Sequence, residues 1–231
     1  MRVLALDAAT EVCSVALLAD GVFISRTIES GKSSALKILN LVEEVLAEAQ
    51  LSLSMLDGLA ASIGPGAFTG VRVSVAVAQG LAFGADLKVV PVTTLEALAL
   101  QALEVPESRA LACLDARMGE VYWGCFAWDA ACGVRPSGAL HVGPPGTVSL
   151  DQTGQYLGVG RGFSTYPVLA ALPGVTTDAA RSAALPNARE IARLGALRLR
   201  TGGLDAADLK PLYLRDKVAF TEAERAVQSS L

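Results

Sequence analysis

The sequence predicts an α/β protein of two similar lobes, each a mixed sheet flanked by helices. Three observations carry that expectation. Apolar runs and helical stripes follow one another in the order β-β-β-α-β-α-β-α through the N-terminal half. A glycine-rich loop, Gly64-Pro65-Gly66-Ala67-Phe68-Thr69-Gly70-Val71-Arg72, interrupts them between a buried strand and the next element. The tripeptide Leu6-Asp7-Ala8 then recurs as Leu114-Asp115-Ala116, each time between two strand-like runs, which is the mark of an internal duplication.

The elements follow in chain order. Val3 to Leu6 and Val12 to Leu18 are apolar runs, and Asp20-Gly21 is a favoured hairpin turn into Val22-Phe23-Ile24. These make three antiparallel strands. From Ser33 to Gln50, Ala35, Ile38, Leu39, Val42, Val45, Leu46 and Ala49 form one helical stripe. Leu36 and Leu41 fall outside it, so this helix carries more apolar surface than one core face requires. Leu59 to Ile63 is a buried strand leading into the glycine loop. Val71 to Val77 alternates like a strand, yet a crossover between two strands favours a helix, here from Gly70 to Gly84. Ala76, Gly80 and Gly84 put small residues on one ridge of that helix, suited to close helix packing. Val89 to Val92 is a strand, and Thr93-Thr94-Leu95-Glu96 is a capping box opening a helix to about Leu103.

Pro106-Glu107-Ser108 marks a boundary between lobes at 1–106 and 107–231. The second lobe reads as a strand–turn–strand around Asp115, a loop at Pro144-Pro145-Gly146, and a strand at Tyr156 to Val159 that enters a Gly158–Gly162 turn. Asn187 caps a helix to about Arg200, stopped by Thr201-Gly202-Gly203. The tail from Ala219 is polar and either frays or packs back on the first lobe.

Composition narrows the function. Hydrophobic residues make up 52% of the 231 and mean hydropathy is +0.45, with no uninterrupted apolar run of the length that spans a membrane. The excess suggests surface covered by a partner. The N-terminus has no signal-peptide layout, and four scattered cysteines without a CxxC pair suggest buried cytosolic thiols. A net charge of −4 argues against nucleic-acid binding by the chain alone. His141 is the only histidine, and no Cys or His spacing suits a metal site. A serine hydrolase would need a base beside an activated serine, and no Gly-x-Ser-x-Gly elbow occurs.

Five blocks in order now carry a resemblance: Leu4-Ala5-Leu6-Asp7-Ala8-Ala9-Thr10-Glu11-Val12-Cys13-Ser14-Val15-Ala16-Leu17, the glycine loop Gly64–Arg72, Ala76-Val77-Ala78-Gln79-Gly80-Leu81-Ala82, Leu114-Asp115-Ala116-Arg117-Met118-Gly119-Glu120-Val121-Tyr122, and Pro211-Leu212-Tyr213-Leu214-Arg215. The chain resembles the actin-like and sugar-kinase fold (ASKHA, ribonuclease H-like), and within it the TsaB family, also called YeaZ. That family is an accessory subunit of bacterial threonylcarbamoyladenosine modification of tRNAs reading ANN codons. The resemblance implies a non-catalytic scaffold working with TsaD and TsaE, a homodimer in isolation, cytoplasmic location, no membrane, and tRNA met only through the complex. It implies no cofactor required by this chain, with ATP or ADP entering at the level of the complex. It places the docking face on the two first-lobe helices, making Leu36, Leu41, Arg72, Ala76, Gly80 and Gly84 interface candidates. The paralogue TsaD builds its metal site on a His-x-x-x-His helix, whereas here that helix begins Gly31-Lys32-Ser33-Ser34-Ala35-Leu36-Lys37-Ile38, without histidine. An older glycoprotease description of such proteins would need the metal ligands this chain lacks.

One alternative stays open, a nucleotide-binding ATPase of the same fold. Asp7, Thr10, Asp115, Arg117, Gly158 and Gly160 stand where an inter-lobe nucleotide cleft would form. Against it, the Asp7-Ala8-Ala9-Thr10 turn has neither glycine nor lysine for phosphate. Turn capping at strand ends accounts equally for both aspartates.

Overall fold

Each lobe is organised around a central hydrophobic strand that ends in an aspartate-led turn. The structure, a computed structural model, describes residues 1–29, 34–103, 105 and 108–215, with the side chains of the first helix described from Lys37 onward. The first sheet contains β1 (Arg2–Asp7), β2 (Val12–Ala19), β3 (Val22–Glu29), β4 (Gly58–Ser62) and β5 (Val89–Val92) in the order β3-β2-β1-β4-β5. β1 pairs antiparallel with β2 and parallel with β4, so three hairpin strands continue into a crossover unit. Asp20 and Gly21 both take positive φ, 51° and 90°, which matches the right-handed twist of the flanking strands. Helices α1 (Ser34–Ala49), α2 (Phe68–Ala85) and α3 (Thr94–Ala102) alternate with the later strands. The ambiguous valine run is helical: α2 joins β4 to the parallel strand β5, a connection that needs a crossover.

The second sheet contains β6 (Arg109–Arg117), β7 (Glu120–Asp129), β8 (Gly133–Pro136), β10 (Tyr156–Val159) and β11 (Val175–Thr176), with β9 (His141–Gly143) added beside β7. Its order β8-β7-β6-β10-β11 repeats that of the first sheet, strand for strand, with the same parallel and antiparallel senses. The duplication suggested by the two Leu-Asp-Ala segments is thus present as a topology. Short helices α4 (Gly162–Thr165) and α5 (Ala179–Ser182) precede α6 (Ala188–Arg198).

Packing separates three cores. Leu4, Leu6, Val15 and Leu17 face α1 and α2 outside the first sheet. Leu111, Trp123 and Tyr156 pack outside the second. Between the sheets, Val3, Ala5 and Ala60 meet Leu95 and Leu98 of α3, Ile191 and Leu194 of α6, and Ala110 and Ala112 of β6. Burying each of those leucines contributes about 1.5–3 kcal/mol. The two middle helices are exchanged: α3, from the first repeat, packs on β6, β7, β8 and β10, whereas α6, from the second, packs on β1, β2 and β4. The strands of the two sheets fall on either side of 106/107, but the helices do not respect that line. Pro106 and Glu107 themselves lie outside the described residues.

After α6 the chain returns to the first lobe. Leu204 bridges Val89, Leu209 is buried with the α1/α2 core, and the Leu212 N–H donates to the Ile63 carbonyl. Arg215 then reaches the second lobe, donating to Glu120 and to the Ala116 carbonyl. The tail from Ala219 lies outside the described residues.

Candidate functional site

The glycine loop is built for close backbone approach. A Cβ on Gly66 would overlap the Ala9 carbonyl, and one on Gly70 the Ala8 carbonyl. The Ala67 N–H donates to the Ala9 carbonyl at 2.7 Å, and the Ala8 N–H donates to Ser74 Oγ of α2 at 2.7 Å. The start of α2 is therefore pressed onto the Asp7–Thr10 turn, which only glycine allows.

That junction forms one wall of a cleft of about 830 Å³ between the lobes, lined by Thr10, Glu11, Thr69, Asp115, Arg117 and Arg161 among others. Glu11 and Arg161 form an ion pair across it, from the first turn to the start of α4. Thr10, Asp115 and Arg117 thus reach the cleft as the sequence suggests. Asp7 does not. Its carboxyl is fully buried, Oδ1 accepts from the Ala9 N–H at 3.0 Å, and Oδ2 has no hydrogen-bond partner among the described residues. Desolvation pushes this carboxyl up from 3.8 to about 6, against the opposing pull of the Ala9 N–H and Ser62. Asp115 caps the equivalent turn, accepting from the Arg117 N–H at 2.8 Å and from the Tyr166 hydroxyl at 3.1 Å.

Gly158 and Gly160 are also removed from the cleft. A Cβ on Gly158 would strike the Phe163 ring, and Gly160, at φ 108°, abuts the Cys113 carbonyl. Both are packing glycines in the second-lobe core. What faces the cleft is a set of hydroxyls, two arginines and the carboxylates Glu11 and Asp115, each paired with one of those arginines, without a lysine.

The bare surface is on α2. Its inner face, Val71, Ser74, Val75, Ala78 and Ala82, is buried. Its outer face carries Ala76, Gly80 and Gly84, all exposed, and a Cβ at either glycine would meet nothing within 4 Å. Phe68 and Phe83 stand at the two ends of this ridge, 47% and 85% exposed. By length and composition α2 could cross a membrane, with mean hydropathy 1.3, yet only 28% of it is buried in the fold. Arg72 lies at the upper end of the ridge, its guanidinium 3.7 Å from the Phe68 ring centroid and its Nε donating to the Tyr213 hydroxyl at 2.8 Å.

Leu41 is not part of that surface. It is 5% exposed and belongs to the core beneath α1, because the helix sits deeper on the sheet than a single stripe implies. The Leu36 side chain lies outside the described residues. Phe68, Phe83 and Tyr213 were missed by the sequence reading. The signal for Phe83 was available: it follows Ala76 and Gly80 at helical spacing.

Elsewhere, Cys13, Cys113 and Cys125 are buried and Cys132 is half-buried, with Cys13 pushed up to about 11 and Cys125 to about 12 by desolvation. His141 stacks on Trp123 at 5.1 Å. Among the described residues no three His, Cys, Asp or Glu side chains cluster as metal ligands would.

Two relatives decide the family. The tRNA threonylcarbamoyladenosine biosynthesis protein TsaB of Haemophilus influenzae is 34% identical over 95% of this chain and 96% of its own. The TsaB protein of Escherichia coli is 35% identical over 95% and 97%. The chain belongs to the TsaB family. A TsaB-type fold agrees: YeaZ from Pseudomonas aeruginosa superposes with a TM-score of 0.83 at 37% identity, covering 92% of this chain and 99% of that one. A second Pseudomonas aeruginosa structure, described as an uncharacterized protein with similarity to peptidase YEAZ, gives 0.84 at 37% identity over 93% and 99%. Residues 28–132 also match the family model described as TsaD: tRNA N6-adenosine threonylcarbamoyltransferase. The stretch similar to that model carries α1, α2, α3 and the second hairpin of this TsaB-family chain.

Proposed function

We propose that this chain is a non-catalytic scaffold subunit in tRNA threonylcarbamoyladenosine biosynthesis, docking through the outer face of α2. The observation that carries the reading is an apolar helix left largely uncovered, with Phe83 85% exposed beside a saddle of Ala76, Gly80 and Gly84. Small residues let a second helix approach to the close end of the usual 8–10 Å range, and the flanking aromatics supply anchors. The related fold of TsaD makes it the partner of choice, because a paralogue can present matching helices. In its absence a second copy of this chain covers the same face, and TsaE joins the assembled pair.

The cleft supports the non-catalytic part. Asp7, the carboxylate that would handle a metal-bound phosphate, is sealed in the core, and Glu11 pairs with Arg161 across the opening. No cofactor is assigned to this chain, and its site of action under this reading is the cytoplasm. Reconstitution tests it: modification of tRNA by TsaD and TsaE should require this chain, and Gly80→Glu should abolish co-purification with TsaD while the protein stays folded. Full modification without the chain would overturn the proposal.

A second reading rests on the cleft volume and on Arg117, whose guanidinium is exposed at the cleft although it pairs with Asp115 at 3.2 Å. Calorimetry with ATP and ADP, with and without magnesium, separates the two. Micromolar affinity with turnover by the isolated chain would favour the ATPase.

A further inference from the structure

On the side of the first lobe away from α2, helix α6 and the edge strand β3 form a cationic surface on a chain whose net charge is −4. Arg189 and Arg193, four residues apart and both exposed, project from α6 over a single aromatic ring. The guanidinium carbons lie 4.7 Å and 5.6 Å from the centroid of Phe23. Stacking fixes the guanidinium planes and leaves N–H edges turned outward. Among the described residues Arg189 has no carboxylate within salt-bridge distance, and Arg193 has only Glu190 at 3.7 Å. Glu190 is itself directed inward and buried. Along β3, Ser25 and Thr27 alternate onto the same sheet face as Phe23, and both are exposed. The row ends at Glu29, the one acidic residue of that face of the strand.

Shielding Phe23 from water would require one long side chain, not two arginines with hydroxyls in line. Two guanidinium groups on side chains about 6 Å apart at their bases suit neighbouring phosphates of one strand. The hydroxyls add donors at the same surface. The patch is polar and positive, so an apolar protein helix of the kind suited to α2 would gain nothing from it.

We propose that Arg189 and Arg193, braced by Phe23 and flanked by Ser25 and Thr27, bind the phosphate backbone of the RNA substrate. The proposal deepens the scaffold reading and rests on it for the identity of that RNA. It adds a direct contact to the expectation that tRNA is met only through other subunits. Two arginines give a weak contact alone, which agrees with the acidic balance of the whole chain. In the assembly they add to contacts made elsewhere.

The test uses the reconstituted complex and labelled tRNA, with Arg189→Gln/Arg193→Gln and the reversal Arg189→Glu/Arg193→Glu. Binding measured across a salt series should lose about 1.4–1.8 from the slope of log affinity against log salt in the Gln pair, as expected for two released counterions. The reversal should raise KM for tRNA on the order of 10-fold with kcat unchanged, while subunit stoichiometry stays the same. Phe23→Leu, which keeps an apolar side chain but removes the ring, should produce a smaller KM increase. An unchanged salt slope and KM would overturn the proposal, as would loss of a protein subunit with tRNA affinity per intact complex unaltered. Failure of the scaffold reading would register separately, as full modification by TsaD and TsaE with this chain left out.

Discussion

The Arg198 guanidinium donates to Glu96 Oε1 at 2.7 Å, joining the end of α6 to the first turn of α3. The same carboxylate closes the α3 capping box, accepting from the Thr93 N–H at 2.7 Å through Oε2. Arg198 also donates to the Val134 carbonyl of β8 at 3.1 Å. One ion pair thus links the two exchanged helices where both are mostly shielded from water. Removing the arginine strands the carboxylate, so Arg198→Ala should destabilise the fold by about 1–3 kcal/mol. For a chain of this length that is a fall in Tm of roughly 2–12 °C, readable by calorimetry. An unchanged Tm would mean that water replaces the guanidinium freely.

Helix exchange also makes the lobes interdependent. Both tryptophans, Trp123 and Trp128, lie on β7 in the second lobe, whereas helix content is concentrated in α1 and α2 of the first. Tryptophan fluorescence and far-ultraviolet circular dichroism should therefore give coincident denaturation curves. Two separated transitions would show that the shared core between the sheets does not couple them.

Asp7 predicts an unusual pH dependence. Its folded value, about 6, lies above the ordinary 3.8, so the folded state holds the extra proton between those limits. The stability this proton carries is fully present below about pH 4 and is lost as pH rises through 6. Asp7→Asn keeps an oxygen for the Ala9 N–H and needs no proton. It should stabilise the protein at pH 7 by on the order of 3 kcal/mol, the gain shrinking towards pH 4. Urea denaturation of both proteins at pH 4 and pH 7 checks the sign. A variant less stable at pH 7 would refute the assignment of burial as the dominant effect.

Glycines of α2 should separate into two kinds. Gly70→Ala forces a methyl against the Ala8 carbonyl and should cost about 3 kcal/mol or more, since backbone must move. Gly80→Ala enters open space on an exposed helix and should stabilise the isolated chain by about 0.5–1 kcal/mol. Thermal denaturation of the pair distinguishes a packing glycine from a surface one, and similar shifts in both would contradict the geometry.

Phe83→Ser removes the most exposed aromatic of the ridge. The fold should keep its Tm within about 1 °C, because a side chain 85% exposed contributes little burial. Association with TsaD should weaken by at least tenfold in a titration by interferometry, given a loss of about 1.5–3 kcal/mol for an anchor that becomes buried. Equal affinity would remove this end of α2 from the interface.

Much of the fold was legible in residue order. Asp20-Gly21, the Thr93–Glu96 capping box and the Asn187 cap each specify local backbone through short-range hydrogen bonding, and each stands in the structure as read. The repeated Leu-Asp-Ala turn was legible because both copies end a central strand of the same topology. The site was less so. Leu41 looked like spare surface because helical periodicity counts one stripe, whereas a helix seated on a sheet and beside another helix buries a wider arc. Asp7, Gly158 and Gly160 looked like cleft residues because sequence position records which turn a residue occupies and not which way it faces.

By itself, then, the sequence determined the strands and helices of the first lobe, the duplicated strand–turn–strand, the family, and the ridge of small residues on α2, all of which depend on neighbours along the chain. Only the tertiary structure decided that α3 and α6 trade sheets, that Asp7 is sealed and protonated more readily than an ordinary carboxyl, and that two arginines of α6 converge on Phe23. Those outcomes depend on contacts between residues far apart in the chain, where burial and close approach, rather than local propensity, set the energy.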